Sequence, residues 1–472
     1  MPPLPRPRRA VTVPLPPRQA ELAAATDVLV VGGGPAGIGA ALGAAEAGAE
    51  VVLVERYGFL GGNATAALVM PLMSFHTQRT MLEQPGATKL FPTDHGPGEP
   101  VVAGALARLL RWLVRAGGAI APSPDTGYTV PFDPELFKLV ALELLDDAGV
   151  HFLFHAFASD VEHDGPVRGV VFETKSGPVV IRARVVVDCT GDGDVAARAG
   201  APYEIGRGED GLVQPMTLMF RMVQFDRAEF EAYVRAHPDQ WRGVHGLWDL
   251  IRKAAEAGEL DLPREDILFF GTPHEGEVSV NSTRVMRVLG TDVFDWSRAE
   301  LESRRQMSQI ATFLRRHVPG FQEAYIAQSG VHTGVRETRR IVGDYQLTAE
   351  DVLEGRKFDD VVARGAYPVD IHNPKGSGTV LKRLPPGAAY DIPLRALLPR
   401  GVDGLLVAGR CLSGTHEAHS SYRVMPIVMA TGQAAGVCAA LAAQRNLAPR
   451  TVPVADVQAA LLRQGADLRH IR

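Results

Sequence analysis

A short apolar run that ends in glycines constrains this chain more than any other feature. Residues 28–37 read VLVVGGGPAG, and Gly32, Gly34 and Gly37 form a G-x-G-x-x-G pattern directly after a strand-like segment. Small residues follow, and then a second apolar run, VVLVE, at 51–55. This succession predicts a strand, a tight turn, a helix and a parallel strand, which together form a βαβ unit.

The residue types of this unit suit a dinucleotide. Glycines let the backbone approach a pyrophosphate closely, and the following helix N-terminus offers unpaired N–H groups. Glu55 ends the second strand, where a carboxylate accepts hydrogen bonds from a ribose. A glycine turn that serves only helix–sheet packing is the alternative. The pattern by itself does not separate NAD from FAD.

Size and composition narrow the class of protein. With 472 residues the chain exceeds one ordinary core, so we expect two domains. Its 46% hydrophobic and 22% charged residues are typical of a globular protein, and we expect no membrane span. A net charge of -5 argues against nucleic acid as a partner. Three scattered cysteines indicate neither a disulfide framework nor an iron–sulfur cluster, and we expect a cytoplasmic protein.

The pattern along the chain predicts a discontinuous architecture. We expect an α/β fold in which a Rossmann-like FAD-binding domain, with a parallel sheet and a β-meander, is split by an inserted α+β substrate domain. The predicted parts are an extended N-terminal arm at 1–24, the nucleotide domain at 25–75, 134–200 and 396–472, an excursion with a helix at 76–133, and the substrate domain at 201–395.

Turn and cap residues predict individual elements. Asp133 as N-cap, Pro134 at the first helical position and Gly149 as terminator predict a helix between them. Further predicted helices cover 102–115 and 297–317, and predicted strands cover 150–155, 167–173, 179–187, 215–222, 277–281 and 403–410.

Three segments beyond the first turn carry a resemblance. They are ERYGFLGGNAT at 55–65, VVVDCTGDGDVAARAG at 185–200 and LLVAGRCLSGTHEAHSSYRVMPIVMATGQAAG at 405–436. In combination with the glycine turn the chain resembles the FAD-dependent oxidoreductases of the glutathione-reductase-like superfamily. GVRETRRIVGDY at 334–345 and YPVDIHNP at 367–374 resemble a poorly characterised bacterial subgroup of these flavoproteins.

The resemblance implies that FAD is the cofactor. By position, the residues implied to hold it are Gly32, Gly34, Pro35, Ala36, Gly37, Glu55, Arg56, Gly61, Gly62, Asn63, Thr190, Gly191, Gly409, Arg410 and Met425. Arg410 stands in a turn where relatives often carry an acidic residue. Pro426 is expected to open a helix whose N-terminus faces the flavin.

Polar residues before that helix are the first catalytic candidates. The segment SGTHEAHSSYR contains His419, able to take a substrate proton, and Arg423, able to bind a carboxylate or stabilise reduced flavin. The inserted region adds Arg336 and His372, and Tyr367 and Asp370 are further substrate-side candidates on the segment that holds His372. Loop-stabilising hydrogen bonds are the alternative for each.

Other polar clusters have more ordinary interpretations. For Arg339 and Arg340 an interdomain ion-pair network is favoured over a substrate contact, and Asn281 and Arg284 are further substrate-side candidates. No third ligand joins His416 and His419, so we expect no metal site.

These observations predict an enzyme that oxidises a small organic substrate by hydride transfer to flavin N5. Oxygen, a quinone or another protein is expected to reoxidise the flavin. No second glycine fingerprint for a dedicated NAD(P)H domain and no C-x-x-C motif are present. An NAD(P)H-using flavin monooxygenase and a non-catalytic redox sensor are the alternatives, and covalent flavin attachment through Cys411 or a histidine is left open.

Overall fold

A computed structural model describes residues 3–4, 12–78, 86–92, 98–376 and 378–469. Part of the predicted N-terminal arm, at 1–2 and 5–11, lies outside these residues, as do parts of the predicted excursion, at 79–85 and 93–97. Residues 12–20 have no regular structure, and Arg18 pairs with Glu173 at 2.7 Å. The first strand begins at Glu21, ahead of the predicted end of the arm.

The described residues form the following helices: α1 Pro35–Glu46, α2 Ala105–Arg115, α3 Pro134–Asp147, α4 Asp194–Arg198, α5 Arg227–Ala236, α6 Trp248–Glu256, α7 Val293–His317, α8 Ala349–Leu353, α9 His416–Tyr422, α10 Met425–Arg445 and α11 Val454–Arg463. The strands are β1 Glu21–Val31, β2 Val51–Glu55, β3 His151–Phe154, β4 Phe157–His163, β5 Val167–Thr174, β6 Gly177–Asp188, β7 Tyr203–Ile205, β8 Phe220–Val223, β9 Trp241–Arg242, β10 His245–Gly246, β11 Ile267–Gly271, β12 Glu277–Val280, β13 Tyr325–Ser329, β14 Arg339–Ile341, β15 Val361–Gly365, β16 Val369–His372, β17 Thr379–Lys382, β18 Tyr390–Pro393 and β19 Leu405–Val407.

A seven-stranded sheet forms the centre of the nucleotide domain. Strands β3, β2, β1 and β6 are parallel neighbours in that order, and β19 pairs in parallel with the end of β6. The beginning of β6 pairs antiparallel with β5, which pairs with β4, so these strands form a meander. The predicted α/β class with a Rossmann-like parallel sheet is confirmed.

Helix α10 lies against α1 at unusually close range, and glycines make this possible. A Cβ on Gly39 of α1 would overlap the carbonyl of Met429, and one on Gly436 of α10 would overlap the carbonyl of Ala40. By length and composition α10 could cross a membrane, but 94% of its apolar window is buried inside the protein. Burial of this kind is typical of a core helix, and the first turn of α1 packs against Gly432 of α10, where a Cβ would overlap the Ala36 carbonyl.

A second sheet has its own core. Its order is β13-β8-β12-β11-β10-β9, with α5, α6 and α7 in the same part of the chain. The sheet core is aromatic, and Phe230 packs against Trp241, Phe269 and Phe321. The paired strands extend from Phe220 to Ser329, within the predicted substrate domain.

The remainder of the predicted substrate domain packs differently. Apolar residues from Leu347 to Leu398 share one core with α1 and α10. Among them, Tyr390 of β18 is fully buried and bonds Ser421 of α9 at 2.8 Å. Part of the segment 201–395, which the sequence pattern assigned to the substrate domain, therefore packs in the core of the nucleotide domain.

Candidate functional site

The glycine turn lies at the carboxyl end of β1 and leads directly into α1. Gly32 has φ +102°, and a Cβ there would lie 2.5 Å from the carbonyl oxygen of Cys189. Gly34 is the N-cap of α1 and has no side chain to occupy the first N–H groups of the helix. These N–H groups therefore face a space that an anion can fill.

Glu55 fixes the shape of this turn from the end of β2. Its carboxylate accepts from the Gly33 N–H at 2.6 Å and from the Tyr57 N–H at 3.0 Å. The side chain is only 5% exposed, and burial raises its pKa. Next to it, Arg56 stacks over Tyr57 at 4.9 Å and over Trp296 at 5.4 Å. An aromatic and cationic wall therefore continues from the turn.

A second glycine loop contacts the first. A Cβ on Gly62 would lie 2.8 Å from the Cα of Gly34, and Gly61 has φ +112°. Asn63 Nδ2 donates to the Val335 carbonyl at 3.3 Å, which ties this loop to the inserted region. The two loops leave a narrow passage bounded by backbone.

Asp188 organises the third loop at the end of β6. It accepts from the Thr190 N–H and hydroxyl at 3.0 and 2.7 Å, and from the Ala196 N–H at 2.9 Å. Complete burial raises the pKa of Asp188 to about 6. The loop thereby presents Thr190 and Gly191 beside the glycine turn.

Arg410 follows the last strand and crosses to this loop. Its Nη2 donates to Asp192 at 2.8 Å, and Asp192 also accepts from the Thr338 hydroxyl at 2.7 Å. Beside Arg410, the pKa of Asp192 is lowered although burial opposes this. Arg410 Nη1 is buried and has no hydrogen-bond partner within the described part of the chain. A buried N–H group of this kind calls for an acceptor from a ligand.

These loops enclose one continuous cavity, the cofactor groove, at the carboxyl ends of β1, β2 and β6. Most of the predicted cofactor residues line it: Gly32, Gly34, Pro35, Ala36, Glu55, Arg56, Gly62, Asn63, Thr190, Gly191, Gly409, Arg410 and Met425. Gly37 and Gly61 are not among the lining residues. They shape the groove indirectly, since a Cβ on Gly37 would overlap the Gly32 carbonyl.

Sequence reasoning missed three aromatic residues of the groove: Tyr57, Phe157 and His332. Tyr57 and His332 stack with ring centroids 5.6 Å apart, and both line the groove. Burial lowers the pKa of His332 to about 4, so its imidazole is neutral. Tyr57 directly follows Glu55 and Arg56, which is a usable signal. His332 comes from the inserted region, and no sequence pattern points to it.

A second cavity, of about 690 Å³, adjoins the groove. Asn63, Arg410, Arg423 and Met425 line both spaces. Five of the predicted substrate-side residues line the second cavity: Asn281, Arg336, Tyr367, Asp370 and His372.

Polar side chains form a connected group in this second cavity. Tyr367 donates to Asp370 Oδ2 at 2.7 Å, and His372 Nε2 and Arg423 Nη2 lie 3.7 and 3.9 Å from the same oxygen. Arg284 Nη2 lies 3.5 Å from His372 Nδ1. Burial and the nearby Arg336 and Arg423 lower the pKa of His372 well below its ordinary value, so the imidazole is neutral.

His419 does not reach either cavity. It lies on α9 with 1% exposure, is absent from the lining of both spaces, and neither ring nitrogen has a partner in the described ranges. Burial lowers its pKa well below the ordinary value. Its place in the sequence predicted a position beside the substrate. Arg423, the residue that directly follows α9, lines both cavities instead.

Other predicted candidates have structural contacts. Glu337 accepts from His416 at 2.9 Å and from the Gln214 N–H at 3.0 Å, and it pairs with Arg340. Arg339 pairs with Asp194 at 2.8 Å. These contacts agree with the ion-pair network favoured for the two arginines. Cys411 is fully buried and lines neither cavity. A covalent bond to flavin would require its thiol to reach the cofactor groove.

The described residues contain no group of three or more His, Cys, Asp or Glu side chains that could hold a metal ion. The cofactor groove instead combines uncapped helix N–H groups, a buried unpaired guanidinium N–H and glycines at close-approach positions. This donor set fits the pyrophosphate and ribose groups of a dinucleotide. Fold and site therefore define a dinucleotide-binding enzyme.

Comparison with known protein families identifies the family of dinucleotide-binding enzymes to which the chain belongs. The model of the FAD dependent oxidoreductase family matches residues 27–461, nearly the whole chain. The chain belongs to this family, is an FAD-dependent oxidoreductase, and takes FAD as its cofactor.

Individual relatives are more distant. Thiamine thiazole synthase of Aeropyrum pernix is 32% identical over 192 residues, which cover 40% of this chain and 63% of that protein, less than two thirds of its length. A geranylgeranyl bacteriochlorophyll reductase-like structure from Thermoplasma acidophilum has 14% identity and a TM-score of 0.42, covering 93% of this chain and 82% of that one. The myxobacterial halogenase CndH has 15% identity and a TM-score of 0.42, covering 93% and 78%.

Proposed function

We propose that the protein oxidises a small organic substrate bound in the second cavity, and that the substrate passes a hydride to N5 of FAD. The observation that carries this proposal is the shared lining of the two cavities by Asn63, Arg410, Arg423 and Met425. A substrate in the second cavity and a cofactor in the groove would meet at these four side chains. Bound FAD supplies the hydride acceptor.

Positive charge at this junction favours electron transfer to the cofactor. Arg410 and Arg423 line both cavities, and α10 begins beside them at Met425. Negative charge on a nearby group is stabilised by a helix N-terminus by about 0.3–2 kcal/mol. The two guanidinium groups add to this effect because they are largely removed from water.

Asp370 is the group that we propose accepts the substrate proton. It is the one acid in the lining of the second cavity as far as the chain is described, and the Tyr367 hydroxyl orients Oδ2 at 2.7 Å. Arg284 can only donate to His372 Nδ1, so the ring hydrogen is assigned to Nε2, on the side of Asp370. In this proposal His372 is a positioning residue.

The substrate rather than NAD(P)H is proposed as the electron donor. Gly206, Gly208 and Gly211 have the spacing of the glycine pattern but lack its context, because they follow the three-residue strand β7 and no helix begins directly after them. They are therefore not a second fingerprint. A pyrophosphate site of the kind at α1 therefore has no counterpart there. The lack of such a site disfavours the architecture of a disulfide reductase, and oxygen, a quinone or a protein is proposed as the final acceptor.

The test is anaerobic reduction of the purified holoenzyme, followed by the visible flavin spectrum. We expect organic substrates to bleach the flavin in the absence of NAD(P)H, and we expect Asp370→Asn to slow bleaching while FAD remains bound. Bleaching only by NAD(P)H, with oxygen uptake stimulated by an organic substrate, would establish a monooxygenase instead. A flavin that no substrate reduces, together with a stable redox-dependent protein complex, would establish a sensor.

A further inference from the structure

The second cavity has an apolar wall. It is formed by side chains of the loop that follows Gly62–Ala64 and by side chains in or next to the strands of the second sheet. They include Met70, Met73, Met219, Leu268 and Phe270. Cavities of 300–1,000 Å³ with such walls bury most of the surface of a small organic ligand. At about 690 Å³, this one has room for a substrate with a substantial apolar body.

The remaining lining is strongly cationic. Five arginines line the cavity against the single acid Asp370 within the described residues: Arg242, Arg336, Arg383, Arg410 and Arg423. Arg410 is balanced by Asp192, and Arg423 lies 3.9 Å from Asp370. Of the other three, Arg242 and Arg383 are exposed and Arg336 is withdrawn from solvent. Burying the charge of Arg336 is costly unless an anion compensates it.

Two of the lining arginines have N–H donors that no described residue uses. Arg336 Nη1 donates to the Pro215 carbonyl at 2.7 Å and to the Thr217 hydroxyl, so one nitrogen of the guanidinium anchors the group to the wall. Arg423 Nε is buried without a partner in the described ranges, and its Nη2 lies 3.4 Å from Gln214 Oε1. Both groups therefore have unused N–H donors.

The electrostatics agree with this geometry. Burial, Arg423 and Arg284 lower the pKa of Arg336 to about 9. A lowered guanidinium pKa reports positive charge crowded into a space with little solvent. An anion bound between these arginines would reverse the effect.

The cofactor does not account for this charge. Arg410 and Arg423 border the groove, but Arg336, Arg242 and Arg383 line only the second cavity. Arg242 and Arg383 are exposed, so they are placed to attract an anion from solvent.

Building on the proposed function, we infer that the substrate is an organic anion with an apolar body, whose head group is bound by Arg336 and Arg423. Guanidinium groups bind both carboxylate and phosphate through paired N–H donors. The apolar wall would hold the rest of the molecule.

The test is calorimetric titration of the FAD-loaded protein with four probes of equal chain length: octanoate, octyl phosphate, octanamide and octylamine. We expect at least one anion to bind tenfold or more tightly than the amide, because a charge-assisted hydrogen bond contributes enough for a tenfold to hundredfold change. The stronger of the two anions identifies the head group. Arg336→Gln is expected to lower anion affinity at least tenfold, and Arg336→Lys less.

Matched variants separate a local from a general effect. Arg182→Gln removes an exposed arginine of β6 that pairs with Glu162 of β4, and it should leave probe binding unchanged. Arg423→Gln provides a second test should Arg336→Gln fail to fold. Equal or tighter binding of octanamide or octylamine, or no binding of either anion, would overturn the inference.

Failure of the inference is distinguishable from failure of the proposed function. A holoenzyme whose flavin is bleached by neutral substrates and that shows no anion selectivity contradicts only the inference. A holoenzyme that binds octanoate through Arg336 but is never reduced without NAD(P)H contradicts only the proposed direction of hydride transfer.

Discussion

Arg410 Nη2 lies 2.8 Å from Asp192 Oδ1, and this ion pair joins the turn after β19 to the loop after β6. Both side chains are largely buried, and Arg410, which lines both cavities, has Nη1 buried without a hydrogen-bond partner among the described residues. The pair therefore orients a donor that the Rossmann turn does not provide. Removing one partner of such a pair leaves the other charge buried and costs more than the pair contributes.

The first prediction concerns FAD affinity. Arg410→Gln is expected to raise the Kd for FAD at least tenfold, because a charge-assisted hydrogen bond contributes about 1.5–3 kcal/mol. Arg410→Lys keeps the charge without the fork and should have a smaller effect. Fluorescence titration of apoprotein with FAD measures both, with Arg182→Gln as control. Unchanged affinity in Arg410→Gln would show that Nη1 has no ligand role.

The second prediction uses two glycines with similar backbones and different surroundings. Gly32→Ala should yield protein without FAD, since its φ is +102° and the new Cβ would lie 2.5 Å from the Cys189 carbonyl. Gly165 has φ +79°, and a Cβ added there would have no atom within 4 Å. Gly165→Ala should therefore lower the free energy of unfolding by only about 1 kcal/mol and leave FAD bound. Flavin absorbance per protein and thermal unfolding distinguish steric exclusion from general backbone strain.

The third prediction follows from the buried carboxyl of Asp188. Its pKa rises from 3.8 to about 6 on folding, so between these values the folded state holds the proton more tightly than the unfolded state. Stability therefore falls as pH rises through this window, by about 1.4 kcal/mol per pH unit, and stays lower above pH 6. Asp188→Asn should be less stable overall because an amide cannot accept all three bonds, and should lack this slope.

Denaturant unfolding of both proteins at several values between pH 4 and pH 6.5 measures this difference. Other titrating groups cancel when the variant is subtracted from the wild type. A difference that does not change with pH would show that Asp188 is ionised throughout.

The fourth prediction concerns the proposed proton acceptor. Asp370→Asn should lower the rate of flavin reduction by about 10²–10⁴, the usual contribution of a positioned base, with FAD content unchanged. Tyr367→Phe should lower the rate less, because it removes only one orienting bond. Asp360→Asn is a suitable control, since Asp360 pairs with Arg395 outside both cavities. A full rate of reduction in Asp370→Asn would assign the proton to another group.

Local patterns predicted the nucleotide-binding part of the fold closely. Asp133 caps α3 through the Glu135 N–H at 2.7 Å, and the helix runs from Pro134 to Asp147 as the cap and Gly149 indicated. The sequence pattern predicted a helix at 297–317, whereas α7 begins four residues earlier, at Val293. Capping and backbone conformation depend on neighbouring residues, so a single sequence is enough to read them.

Elements that depend on long-range packing were not predicted from the sequence. Strand β4, at Phe157–His163, was not predicted, because it is a half-exposed edge strand whose pairing with β5 defines it. The chain from Leu347 to Leu398 reads like part of the insertion, yet it packs into the core of the nucleotide domain. Apolar residues are equally suited to either core, and only the three-dimensional arrangement decides between them.

The sequence by itself determined the βαβ unit and its glycine turn, since these are consecutive and backbone-driven. Only the tertiary structure decided which polar side chains share the second cavity. It placed Asp370 and Arg336 there and turned His419 away, although all three stood in equally polar segments. The physical reason is that a side chain's direction depends on how its helix or strand packs against distant parts of the chain.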